Sequence, residues 1–435
     1  MKTSFQTILL GAFIAAFVFA VLVFSNVIKI GSSSTDQAVS GTVTIWGIYP
    51  QAIIQDYLDS ATAKNTEITV IYRQKNNDTF RTELVEALAD GQAPDMVISD
   101  SEHIFSFRDK LYTIPFATYN ERLYRDSFID GASIFLNKEG VLAVPLTVDP
   151  MVLYYNKNLL AGQNYVVPPT TWTGLVQSLP RFVKKDARGV VTQTAIGLGE
   201  ADNVNHYKDI LSTLFLQTGN PVVSLNPTTD IYEQKITTNN TTEEELATAK
   251  ALDFYTGFAN QASSTFSWTR TLPSTLDTFL SGKSAFYIGR ASELFNIQAR
   301  NPNLSFDVTT VFQPDGAIRP VTYGVFSGVA IVKNTPNFTA AYNILGTMSS
   351  KEFAQYLSSS VSIPGVRRDL LLEQQTNPYV QSYFKAALSA FAWPDVNSAG
   401  SEIIFRDMIR AVNSGRSNST QAIREGAANF QSSIR

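Results

Sequence analysis

The chain has 435 residues, too many for one hydrophobic core and suited to two lobes. Hydrophobic residues make up 44% and charged ones 17%, so most of it can fold around a sizeable interior. A net charge of −4 offers no basic excess for a phosphate backbone, which argues against nucleic acid, and the absence of Cys excludes disulfides, thiolate zinc sites, iron–sulfur clusters and Cys nucleophiles. With only His103 and His206 as imidazoles, no metal site and no cofactor is expected.

In chain order, residues 8–28, ILLGAFIAAFVFAVLVFSNVI, carry no charge. As a helix they span about 30 Å, the thickness of a bilayer core. Residues 1–30 therefore read as a transmembrane anchor, with a cleaved signal as the alternative. Lys2 favours a cytoplasmic start, which places the body outside the membrane. GSSSTDQAVSG, residues 31–41, reads as a flexible tether.

VTIW at 43–46 is a β-rich run. NDTFRTELVEALADG follows, with Phe80, Leu84 and Leu88 on one helical face and Gly91 as a stop. PDMVI at 94–98 is a further strand ending in polar SDSEH. Strand–helix–strand alternation predicts an α/β lobe with a largely parallel sheet.

AVPLTVDPMVLYYNK, residues 143–157, sets Asp149-Pro150 inside an apolar run. A buried strand should carry neither residue in its middle, so one strand is expected to end near 148 and another to begin near 151. PPTTWTGLVQSL at 168–179 predicts a capped helix and TAIGLG at 194–199 a strand. TLDTFLSGKSAFYIG at 275–289 reads as helix, glycine, strand. SGVAIVK at 327–333 is a strand, and paired helices follow it and close the chain.

Two tempting motifs fail. SGKSA at 281–285 contains Gly-Lys-Ser, but a phosphate loop needs a further glycine where Asp277 stands, and a strand before it rather than a helix. GLGEAD at 197–202 lacks the third glycine of a dinucleotide fingerprint. Neither GxSxG nor HExxH is present. The pair Asp100/Glu102 could face a cleft from a strand end, though loop acids are more often merely solvated.

Taken together and in this order, VTIWG, LVEALADGQAPDMVI, GVLAVPLTVDPMVLYYNKNLL, PPTTWTGL, FLSGKSAFYIG and IRAVNSGRS with AIREGA resemble the extracellular solute-binding proteins of ABC importers. The resemblance is to their carbohydrate-binding, maltodextrin-binding-protein-like group and covers about residues 42–432. It implies two α/β lobes in a periplasmic-binding-protein-like fold, joined by hinge crossings, with the ligand between them. The first lobe would take 41–147 and 328–375, the second 150–322 and 380–435. Asp149-Pro150 would then lie at a crossing, where a missing N–H costs little and a carboxylate can face the cleft.

By position, the resemblance implies ligand contacts from Trp46, Tyr49 and Gln51 after the first strand, and from Ser99, Glu102 and His103 after PDMVI. It adds Asp149 at the crossing, Glu200 in a second-lobe loop, and Arg290 and Ser292 after AFYIG, where the family often shows a sugar-stacking Trp. Trp393 is the remaining candidate for such a face. The implied activity is binding without catalysis of a small polar solute, foremost a carbohydrate. The implied partners are membrane permease subunits, and the protein is expected to be a monomer. The alternatives are a tethered sensor or scaffold of the same fold, or a tethered glycoside hydrolase, which would need two facing acids.

Overall fold

The structure, a computed structural model, describes residues 40–63, 67–237, 242–373 and 377–434. The anchor or signal expected at 1–30, and the tether up to residue 39, lie outside these residues. Among the described residues no helix is long and apolar enough to cross a membrane.

The strands of the main sheet are β1 Gly41–Gly47, β2 Ile68–Gln74, β3 Met96–Asp100, β4 Val144–Asn156, β5 Phe286–Arg290, β6 Phe306–Thr310, β7 Thr322–Ile331 and β8 Ala390–Phe391. Helices of eleven residues or more are α1 Gln51–Thr62, α2 Asn77–Ala89, α3 Trp172–Phe182, α4 Tyr207–Gln217, α5 Thr242–Gly257, α6 Phe338–Met348, α7 Lys351–Val361, α8 Pro378–Leu388, α9 Ser398–Asn413 and α10 Ser419–Ser433. The order across the sheet is β5-β4-β7-β3-β1-β2, with β6 also on β4 and β8 on β7.

Local chemistry accounts for the helix ends. Asn76 accepts the Asp78 N–H at the start of α2, and Thr171 accepts from Gly174 at the start of α3. Phe80 and Leu84 of α2 are buried, as their spacing predicts. Gly282 ends the short helix Thr275–Leu280 at φ +72, a conformation that L side chains rarely adopt. The Gly-Lys-Ser there is thus a helix stop.

Three expectations are corrected. β4 runs unbroken through Asp149-Pro150, with no gap between 148 and 151. What changes at the dipeptide is its partner: 144–150 pair with β7, whereas 151–156 lie between β5 and β6. The proline therefore sits at the junction of two ladders rather than inside one. Across the junction Gly324 faces Pro150, and a Cβ on it would lie 2.9 Å from Val148 and 3.0 Å from Ala390. The sheet is also less parallel than expected. β1, β2 and β3 are parallel, but β7 meets both β3 and β4 antiparallel, as do β5 and β6 on β4. The alternating helices foretold the parallel part; the long returning strands invert the rest. The strand expected at 194–199 shrinks to a bridge at Thr194, beside the short strand Val191–Gln193.

Two half-sheets follow from the partner change. β2-β1-β3-β7 and the start of β4 pack with α1, α6 and α7. The end of β4 with β5 and β6 packs with α8, while α4, α5, α9 and α10 pack among themselves. Each buried Val, Leu or Met of β4 contributes about 1.5–3 kcal/mol, so the crossing strand is firmly held on both sides.

Candidate functional site

The C-terminal end of β3 and the C-terminal end of β5 come from opposite half-sheets and face each other. β3 delivers Asp100, whose carboxylate accepts from Asn77 Nδ2 at 2.7 Å and from the Glu102 N–H at 3.1 Å. His103 Nδ1 lies 2.7 Å from the same carboxylate. Burial works against the imidazolium, but Asp100 and Glu102 outweigh it and raise the His103 pKa.

Glu102 then reaches across. Arg290 Nη2 donates to its Oε2 at 3.0 Å, and Lys208 Nζ stands 3.6 Å from its Oε1. Burial pushes the Glu102 carboxyl up, and the two cations only partly offset this.

Arg290 and Lys208 each have a second anchor. Arg290 donates to Asp209 Oδ2 through Nε at 2.9 Å, and Lys208 donates to Asp395 Oδ2 at 2.8 Å. His206 lies 3.6 Å from Asp209 and 3.2 Å from Glu293, which also accepts from Tyr287 Oη and from the Arg290 N–H. Desolvation would lower the His206 pKa, but its two carboxylates lift it to about 9. Burial alone would raise Asp209; Arg290 and His206 instead hold it well below the usual carboxylate range. The second-half wall therefore sets three cations, His206, Lys208 and Arg290, against three carboxylates, Asp209, Glu293 and Asp395.

At the junction Ser292 donates its N–H at 3.0 Å and its Oγ at 2.6 Å to the two oxygens of Asp149. Desolvation still keeps the Asp149 carboxyl above its ordinary value, against the pull of Arg290. Deeper on the first-half side, Tyr49 Oη bonds Thr147 Oγ1 at 2.7 Å and also Ser327 Oγ, and burial pushes its phenol up to about 12.

Glu102, His103, Asp149, Arg290 and Ser292 thus stand in one continuous polar seam, with Tyr49 below it. Beside the seam opens a cavity of about 640 Å³, lined by Arg81, Glu102, His103 and Arg108 on one side and Asn397 and Glu402 on the other. No Phe, Tyr or Trp lines it.

Other expected residues lie apart. Ser99 is fully buried in β3 with its Oγ unpaired. Gln51 is exposed at the start of α1. Trp46 is 6% exposed and carries Lys75 Nζ 3.8 Å from its ring centre. Glu200 pairs with Arg270 and lines a separate cavity of about 850 Å³ with Asp253 and Asn413. Trp393 is 1% exposed, stacked on Phe405 with its Nε1 donating to Ser212, so in this form it packs and presents no open face.

Sequence reasoning passed over Lys208, Asp209, Glu293 and Asp395. One signal was available: YKDILSTLFLQ places Lys-Asp at the head of an otherwise apolar helix, and Tyr207 to Phe215 are all buried. Buried charges of this kind must be paired, and pairing implies partners from elsewhere in the chain.

A family model described as bacterial extracellular solute-binding protein matches residues 56–383, more than half of the chain. Comparison with curated protein sequences finds no match. Several solved structures share the fold. A cyclo/maltodextrin-binding protein complexed with maltotetraose aligns at TM-score 0.72 and 16% identity, over 94% of this chain and 99% of that one. The cyclic α-maltosyl-1,6-maltose binding protein from Arthrobacter globiformis gives 0.71 and 16%, over 91% and 99%. A maltose/maltodextrin-binding domain from Bdellovibrio bacteriovorus bound to maltotriose gives 0.64 and 14%, over 91% and 100%. The two half-sheets are accordingly the two lobes of a periplasmic-binding-protein-like fold.

Proposed function

The chain belongs to the bacterial extracellular solute-binding protein family, and from that premise we propose that it captures a small polar solute, foremost a carbohydrate, between its lobes for an ABC importer. It is a binding protein and not an enzyme, with its body outside the cytoplasm.

The observation that carries the reading is the seam itself. A polar cleft lies where one strand changes ladders, which is where two lobes can pivot with few bonds to break. The lobes would take 41–147 with 328–375, and 150–322 with 380–435; the change of strand partner after Pro150 is what supports this division. Solute contacts with both walls would favour the closed form by their differential free energy. Sugar hydroxyls both donate and accept, so one molecule can satisfy the Glu102 and Asp149 carboxylates and the Arg290 guanidinium together. Maltodextrin-binding structures of the same fold make oligosaccharides the first solutes to test. Here hydrogen bonds rather than a tryptophan platform would do the holding, since all four Trp are buried. The anchor at 1–30, docking on permease subunits and a monomeric state complete the proposal.

Calorimetry of residues 40–435 against malto-, manno- and monosaccharides should give micromolar binding, about −8 kcal/mol, with a raised melting temperature. Absence of heat and of any melting shift across sugars, amino acids and polyamines would overturn the reading.

A further inference from the structure

The second wall is complete without the first. Arg290 is held by Asp209, Lys208 by Asp395, and His206 by Asp209 and Glu293, all within one lobe. Separating the lobes would leave each of these contacts intact. Glu102 differs. Its side-chain ion-pair partners, Arg290 at 3.0 Å and Lys208 at 3.6 Å, both belong to the opposite lobe. Its side chain is 12% exposed, and on its own wall Asp100 is already engaged by His103 and Asn77. Cross-lobe ionic contact at the seam therefore converges on one side chain, inserted between two cations that do not need it.

We propose that Glu102 is a latch: by seating between Arg290 and Lys208 it fastens the lobes together whether or not solute is present, and solute gains its place by substituting for the Glu102 contact at Arg290. This rests on the solute-binding reading for its second clause and on geometry alone for its first. The contact lies well inside the seam, where ionic interactions are screened less than on the surface. An unbound population already closed alters how solute is taken up, because a solute that enters the open form has its apparent affinity reduced by the fraction that is shut.

The chain has no cysteine, so two introduced ones label cleanly. Asp90 and Arg188 are exposed and fall in opposite lobes. Spin labels on Asp90→Cys and Arg188→Cys should give one short distance population without added solute. Adding Glu102→Gln should create a longer population under the same conditions. A long or broad distribution with Glu102 intact would overturn the latch, and that measurement needs no further variant to fold. An unchanged distribution in a folded Glu102→Gln protein would overturn it as well. Calorimetry on the same labelled protein separates the two readings. A short distance with no heat from any solute would retain the latch and sink solute capture, whereas binding with a long unbound distance would do the reverse.

Discussion

The two walls of the seam are built on different principles. The first-lobe side rests on a buried hydroxyl cluster, Tyr49, Thr147 and Ser327, which bond one another without charge, while Glu102 sits at its rim and Asp149 at the junction, both with carboxyls pushed up by burial. The second-lobe wall is an ion lattice whose charges cancel internally. Buried ions are costly to strand, whereas neutral hydroxyls exchange partners cheaply. One wall is thus a rigid platform and the other an adaptable surface. The acids that reach across the seam, Glu102 to Arg290 and Asp149 to Ser292, come from the adaptable side.

Asp209→Ala tests this contrast most severely. It strips Arg290 and His206 of their shared, buried anchor and leaves them only Glu102 and Glu293, so urea unfolding should lose about 3–5 kcal/mol. A loss below about 1 kcal/mol would mean that the lattice is not rigid.

The next effect is alkaline. Folding raises the His206 pKa from about 6.5 in the unfolded chain to about 9. Its contribution is whole below the unfolded value and is lost as pH climbs through the folded one. Stability should fall by about 3.5 kcal/mol across that window, because each tenfold gain in proton affinity on folding is worth about 1.4 kcal/mol. His103, raised for the same reason, adds to the slope. Denaturation midpoints against pH should show the fall, and His206→Gln should flatten it.

Tyr49→Phe probes the other wall. Thr147 and Ser327 still bond each other at 3.0 Å, so the cost should be about 1 kcal/mol in the same unfolding assay. Gln51→Ala should be smallest, within about 0.5 kcal/mol, because the Gln74 side chain is bonded by the Gln51 backbone N–H and not by its side chain.

Much of the frame was legible because it rests on local rules. The face of Phe80 and Leu84, the glycine stop at 282 and the cap of α3 depend on residues close in sequence. Asp149-Pro150 coincides with a change of the strand's partners, although the strand itself did not stop there. A ladder can change partners without the backbone leaving its extended form, and no local pattern separates the two cases. The ion lattice was hidden because its members pair across long gaps. Lys208 and Asp395 are 187 residues apart, and Arg290 and Asp209 are 81 apart. Trp393 misled because an aromatic residue before a helix has the same sequence signature whether it packs or stacks on a ligand.

β4 carries one further consequence. Its 13 extended residues make a spine of about 40 Å shared by both half-sheets. Were the chain cut at residue 150, each fragment would present a raw rim of unpaired main-chain groups, the condition under which strands recruit foreign strands and precipitate. Neither half is therefore a separable module, and heat should melt the pair as one cooperative body.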